Sequence, residues 1–375
     1  MEKLRYMLLL VVLSLACSCD PVSTDAPEFE VKDKTVLIYM VANNNLSGNS
    51  SVNLEDLKAG YIPEDDNLLV YKHDTGNKPV LMQLKKGSRG EVVQDTVYRF
   101  PLRNSATAEV LESVLKVTGT MFPAKETGLF LWSHGTGWLP EGYYSKSFGS
   151  EDGVEMEIQE LAEALPYRLS FVVFDACLMG CVEVAYQLKD SVDYVLSSPA
   201  EILSQGFPYS KVMQHIFRPE ADLQAVAREY YDHYNSQSGS ARSATVSLVK
   251  TSALQNLADA VAAVFGQYRD GISTIDASSV QRYYRSNKHW FYDLGDFITK
   301  LAGDEDAAPV LKALDEAVIY KAATPNFLEI PIDPDRYSGL GTYIPSNPAD
   351  SVLNSYYMGL DWNRDVQMIK TQEVQ

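Results

Sequence analysis

Residues 127–132 and 170–174 are short, continuous apolar runs, each closed by a polar or glycine-bearing turn. Runs of this kind suit parallel strands covered on both faces. Between them, residues 156–165 are apolar at Ile158, Leu161, Ala162 and Leu165, which is helical spacing. Strand, helix and strand in this order predict one right-handed crossover unit. The first strand ends in Trp132-Ser133-His134-Gly135-Thr136-Gly137-Trp138, the second in Phe174-Asp175-Ala176-Cys177-Leu178-Met179-Gly180. An imidazole and a thiol are thereby predicted to meet at the carboxyl ends of two strands, where open α/β sheets place ligands.

Further apolar runs extend the pattern. Residues 34–42 form a first strand ended by Asn43-Asn44-Asn45, and residues 67–73 a second. A β-hairpin is predicted from 80–85 and 91–99, then a helix over 106–122 with Val110, Leu111, Val114 and Val117 on one face. Residues 178–188 read as a helix starting at the cysteine. Residues 192–197 form the next strand, and 243–249 add one more. Alternating strands and helices give an α/β protein with a mostly parallel sheet and helices on both faces. From Thr251 onward the chain reads as largely helical, with a hairpin around 339–345. The organisation is thus a core over 34–250 and a helical region over 251–375 packed on it.

Residues 1–19 stand apart. Lys3 and Arg5 precede an apolar stretch at 7–16, of signal-peptide length and too short for a permanent span. Ala16-Cys17-Ser18-Cys19-Asp20 follows and resembles a bacterial lipoprotein signal, with Cys19 preferred over Cys17 as the acylated residue. An ordinary secretory signal is the competing reading. No other segment reaches bilayer-spanning length, so the mature chain is expected outside the cytoplasm, held at a membrane by lipid through a tether at 20–33. The formal charge of −18, from 32 basic and 50 acidic residues, argues against nucleic acid as a partner.

The His-Gly-Thr-Gly-Trp and Asp-Ala-Cys-Leu-Met-Gly segments resemble the clostripain family of cysteine peptidases, which has a caspase-like fold and is related to gingipains and legumains. Tyr292-Asp293-Leu294-Gly295-Asp296-Phe297 and Gly339-Leu340-Gly341-Thr342-Tyr343-Ile344-Pro345 extend the resemblance from about Lys34 to near the C-terminus. The resemblance implies a caspase-like α/β/α sandwich and cleavage of peptides or proteins by a His134/Cys177 dyad. Cys177 is the expected nucleophile, its thiolate favoured by a helix start, with His134 as proton acceptor and donor. The N–H groups of Cys177 and of Gly135, the position matching the family's glycine, are the expected oxyanion donors.

Asp175 lies two residues before Cys177 and so on the same side of the strand. In the family the matching acid binds Arg or Lys before the cut bond. Glu201 is a candidate second carboxylate, although the 200–207 loop departs from the family's additional acids and Gly-Trp. Self-cleavage after Lys146, in the turn-rich segment 142–149, is a further expectation.

Several other readings stay open. His73 also ends a strand and is the fallback base. His134, Cys177 and Cys181 lack a clustered fourth ligand for zinc. A Cys177–Cys181 disulfide would compete with catalysis. Calcium, used by some relatives, has candidate donors at Ser150-Glu151-Asp152-Gly153, short of a complete set, so no cofactor or metal is expected. A catalytically silent caspase-like binding or scaffold lipoprotein is the alternative function, and thiol chemistry on a non-peptide substrate a third.

Overall fold

The computed structural model describes residues 29–140, 148–285, 290–345 and 349–370. Lys146, Cys17, Cys19 and the whole signal segment lie outside the described residues. The elements in chain order are β1 (Lys32–Ala42), α1 (Ser47–Gly60), β2 (Asn67–Asp74), β3 (Val80–Lys86), β4 (Val92–Arg99), α2 (Ala108–Met121) and β5 (Ala124–Trp132). Next come β6 (Phe148–Glu151), β7 (Val154–Met156), α3 (Ile158–Glu163), β8 (Leu169–Asp175), α4 (Val182–Gln187) and β9 (Val192–Ser197). Then follow α5 (Tyr209–Ile216), α6 (Leu223–Asn235), β10 (Thr245–Lys250), α7 (Leu254–Gln267), α8 (Arg269–Ile272) and β11 (Tyr292–Asp293). The chain continues through α9 (Leu294–Ala317), β12 (Val318–Ala323), β13 (Asn326–Phe327), β14 (Ile330–Pro331), β15 (Gly341–Thr342), α10 (Ser351–Met358) and α11 (Asp361–Val366).

Nine strands form one sheet in the order β12-β10-β9-β8-β5-β1-β2-β3-β4. The five central strands, β9 to β2 in that order, run parallel, and antiparallel pairs flank them on both edges. Alternation along β1 shows why the sheet carries helices on both faces. Leu37, Tyr39 and Val41 join the core formed with α2, α3, α4, α7 and α9, whereas Val36, Ile38, Met40 and Ala42 join that formed with α1, α5 and α6. Burying each such aliphatic side chain stabilises the fold by about 1.5–3 kcal/mol. The result is an α/β/α sandwich, as the apolar runs predicted.

The C-terminal region is largely helical with one addition, since β12 pairs antiparallel with β10 and completes the sheet edge. The expected hairpin at 339–345 does not form. Instead β15 pairs with β11, some fifty residues earlier. Asp293 explains why the chain turns there. Its Oδ1 accepts from Asp296 N (2.9 Å) and caps α9, while Oδ2 accepts from Ser338 N (2.7 Å) and from the Tyr283 hydroxyl.

Register fixes what meets at the carboxyl ends of the strands. Met40 of β1 lies beside Trp132 of β5, and Trp132 beside Asp175 of β8. The turns after these three strands, bearing Asn43–Asn45, His134 and Cys177, are therefore level.

Candidate active site

The turn after β8 differs from the expected helix. α4 begins only at Val182, with Cys181 as its N-cap, so Cys177 lies five residues ahead of it and receives no helix-dipole contribution. Residues 176–180 form a turn with Leu178 at φ +63°. Hydrogen bonds from Leu178 N to Ala200 O (2.9 Å) and from Gly180 N to Ser198 O (2.8 Å) stitch it to the loop after β9. Gly180 fits because a Cβ there would lie 2.4 Å from Pro199 N. The β11–β15 segment supports this turn, with Gly341 N donating to Gly180 O at 2.8 Å. The two C-terminal motifs therefore bear on the site by holding the turn that carries Cys177.

A cavity of about 240 Å³ is lined by His134, Cys177, Asp175 and Glu201, with Trp132 and Leu203 among its apolar walls. A larger hollow of about 420 Å³ lies by Glu126, Ser170 and Asp193, at the opposite end of the strands, and holds neither imidazole nor thiol. Chemistry, not size, therefore marks the smaller one as the candidate site. Its far wall is anchored to α1, where Asn53 Nδ2 donates to Gln205 O and Asn49 Nδ2 to Ser204 O, both at 2.9 Å.

The Cys177 thiol is turned into this cavity. Ile202 N donates to Sγ at 3.3 Å, and Sγ faces Ile202 O at 3.6 Å. Burial pushes the thiol up to about 12; the Ile202 N–H and the Arg285 guanidinium oppose that rise, while Glu201 and Asp175 reinforce it. This is a resting, protonated thiol. Burial likewise holds His134 below the usual imidazole value, so the ring is neutral near pH 7. Its Nε2 lies 2.7 Å from Asn45 Oδ1, which accepts a proton-bearing Nε2 and leaves Nδ1 with a free lone pair. Asn45 escaped the sequence reading; its only signal was the asparagine tract ending β1. Its neighbours serve the same corner, with Asn44 Nδ2 donating to Ser150 O (2.7 Å) and Asn43 Nδ2 to Glu151 Oε1 (3.1 Å).

Gly135 packs directly on the nucleophile turn, since a Cβ there would lie 2.8 Å from Cys177 O and 3.0 Å from Ala176 Cβ. No acceptor among the described residues takes its N–H. Asp175 lies buried at the cavity floor, where Phe207 N (3.1 Å) and the Tyr209 hydroxyl (2.8 Å) both donate to Oδ2. Burial raises this carboxyl to about 6, the two donors only partly offsetting it. Gly206, at φ +70°, leaves room for it, as a Cβ would come within 2.5 Å of Oδ2. Glu201 is not a free acid, because Arg285 grips both of its oxygens.

The other candidates separate from the site. His73 is buried, with Nδ1 against Ser105 Oγ (2.9 Å) and Glu151 Oε2 (3.1 Å), and does not line the cavity. Cys177 and Cys181 are both free thiols, Cys181 fully buried. The Glu151 carboxylate also accepts Ser105 N (2.7 Å), so it points inward and is committed to protein donors. Of the candidate calcium donors in the 150–153 turn, the Glu151 carboxylate is thus already occupied by protein donors.

A family model, the clostripain family, matches residues 38–371. The chain belongs to the clostripain family of cysteine peptidases. Clostripain of Hathewaya histolytica is 25% identical over 219 residues, covering 48% of this chain and 42% of its own length, so the chain spans less than half of that relative. Solved structures extend the likeness over nearly the whole fold. An inactive zymogen C11 protease from Parabacteroides distasonis is 35% identical with a TM-score of 0.81, covering 90% of this chain and 99% of its own. A secreted C11 cysteine protease from Bacteroides thetaiotaomicron, solved with an irreversible peptide inhibitor, is 30% identical with a TM-score of 0.79, covering 89% and 98%. The clostripain-family fold thus accounts for the sheet, and the cavity at its strand ends carries His134 and Cys177.

Proposed function

We propose that the chain is an exported, lipid-anchored cysteine endopeptidase that cleaves after Arg or Lys, with Cys177 as nucleophile and His134 as acid–base. The observation that carries this reading is the convergence of His134, Cys177 and Asp175 on one cavity at the ends of β5 and β8. In the proposed reaction, Sγ leaves Ile202 and attacks the peptide carbonyl as its proton passes to His134 Nδ1, Nε2 being committed to Asn45. The carbonyl π pair moves onto oxygen, beside the N–H groups of Gly135 and Cys177. Collapse of this adduct breaks the C–N bond, and the departing amine takes the proton from His134. Water, deprotonated by the same ring, then releases the acyl group and restores the thiol.

Asp175 recognises the cation before the cut bond. Its placement at the cavity floor, with no cationic partner among the described residues, supports that role, because a buried carboxylate gains most from a charge-assisted hydrogen bond. Self-cleavage after Lys146 is supported by the downstream end of its segment, where Gly149 N donates to His134 O at 3.0 Å. Lipidation at Cys19 rests on the signal-like segment at 7–19.

Purified protein incubated with a peptide library under reducing conditions, with cut bonds read by mass spectrometry, tests the proposal. Cleavage should follow Lys and Arg and vanish in Cys177→Ala. Cleavage that persists in that variant, or an absence of cleavage by the wild type, would overturn it.

A further inference from the structure

Arg285 stands beside the cavity on the segment leading to β11. Its Nη2 donates to Glu201 Oε1 at 2.8 Å and its Nε to Oε2, a two-point guanidinium–carboxylate pairing. The Glu201 side chain is 20% exposed and that of Arg285 42%. The pair adjoins the nucleophile, since the residue after Glu201 is Ile202, whose N–H reaches Cys177 Sγ. Two residues before Arg285 the chain is anchored, with Tyr283 N donating to Phe291 O at 3.0 Å and the Tyr283 hydroxyl to Asp293.

The cavity therefore carries two carboxylates of unequal standing. Asp175, on the floor, meets only neutral donors among the described residues. Glu201, on the wall, already has a cation from its own chain. We propose that Arg285 is a specificity-determining residue, a built-in competitor for the substrate cation that neutralises Glu201 and leaves Asp175 alone to read the residue before the cut bond. This rests on the reading of Asp175 given above.

The consequence is physical. An entering Lys or Arg side chain either shares Glu201 with Arg285 or meets a like charge at the mouth of the cavity, so basic selectivity is held below what two free carboxylates would give. Arg285 has a compensating effect on the nucleophile. Asp175 and Glu201 both disfavour the thiolate, and Arg285 favours it. Removing Arg285 should thus sharpen selectivity while slowing turnover.

The test compares kcat/KM for two peptides differing only before the cut bond, one with lysine and one with norleucine. Arg285→Gln and Arg285→Met, each checked for native thermal unfolding, should raise the lysine-to-norleucine ratio by roughly fivefold, the scale of a partly exposed charge pair. Glu201→Gln, which leaves Arg285 unpaired, should lower it. The double variant Arg285→Gln/Glu201→Gln should return it to within about twofold of wild type. A ratio unchanged or lowered in both Arg285 variants, or a double variant that keeps the whole gain, would overturn the proposal. Asp175→Asn separates the two readings. If wild type and Asp175→Asn treat both peptides alike, the Asp175 reading fails; if Asp175→Asn abolishes the lysine preference while the Arg285 variants leave it alone, only the Arg285 proposal fails.

Discussion

The Nε2 atom of His134 lies 2.7 Å from Oδ1 of Asn45, so a side chain in the turn after β1 sets the tautomer of the imidazole in the turn after β5. The hydrogen bond leaves Nδ1 as the only ring nitrogen able to take a proton. Asn45→Ala should therefore lower kcat by roughly tenfold, about the loss of one orienting hydrogen bond, with KM little changed. The acid limb of the kcat profile should shift in the same variant, while the melting temperature does not. An unaltered kcat and pH profile would remove Asn45 from the mechanism.

If Asp175 reads the residue before the cut bond, as proposed, lysine selectivity should depend on pH. Burial raises the Asp175 carboxyl to about 6, above the ordinary carboxylate value, so it is charged above that pH and neutral below. The ratio of kcat/KM for lysine over norleucine peptides should fall as pH drops from 7 to 5. His134, held below the usual imidazole value by burial, would serve both peptides alike, so its protonation lowers both rates and leaves their ratio unchanged. Measuring the ratio against pH separates the two groups; a flat ratio would contradict the role of Asp175.

Gly206 couples backbone conformation to that same carboxyl. Its φ of +70° and the 2.5 Å approach of a Cβ to Asp175 Oδ2 penalise any side chain. Gly206→Ala should lower stability by about 1–3 kcal/mol in chemical denaturation and cut lysine selectivity. An alanine variant with native stability and selectivity would show that the 203–206 loop yields freely.

The strand ends were the legible part of this molecule. Continuous apolar runs mark buried parallel strands, so the positions of His134 and Cys177 after β5 and β8 followed from local pattern, and two-residue alternation placed Asp175 beside the thiol. The nucleophile turn was not legible, because Leu178 and Met179 continue the apolar spacing of α4. The helix is stopped by the hydrogen bonds to Ser198 and Ala200 and by the packing of Gly180 on Pro199, all tertiary contacts. The β11–β15 pair was hidden for a related reason, since two-residue strands leave no period to read. Glu201 and Arg285, 84 residues apart, carry no local sign of their pairing.

The resting thiol gives a further expectation. With Sγ held against Ile202 in the cavity wall and the thiol pushed up to about 12, alkylation by iodoacetamide at pH 7 should be far slower than that of a free cysteine. The rate should climb as pH rises toward 10 and above. Rapid alkylation of Cys177 at pH 6–7 would show a thiolate already formed in the free protein.

The account turns on one thiol acting with one imidazole, and covalent capture reads this directly. A peptidyl acyloxymethyl ketone ending in lysine would be incubated with wild type, Cys177→Ala and His134→Ala, and the adduct mapped by mass spectrometry after digestion. The predicted result is one peptide equivalent on Cys177 in the wild type, a strongly slowed reaction in His134→Ala and none in Cys177→Ala. An adduct on Cys181, or capture by Cys177 that proceeds unchanged without His134, would contradict the account.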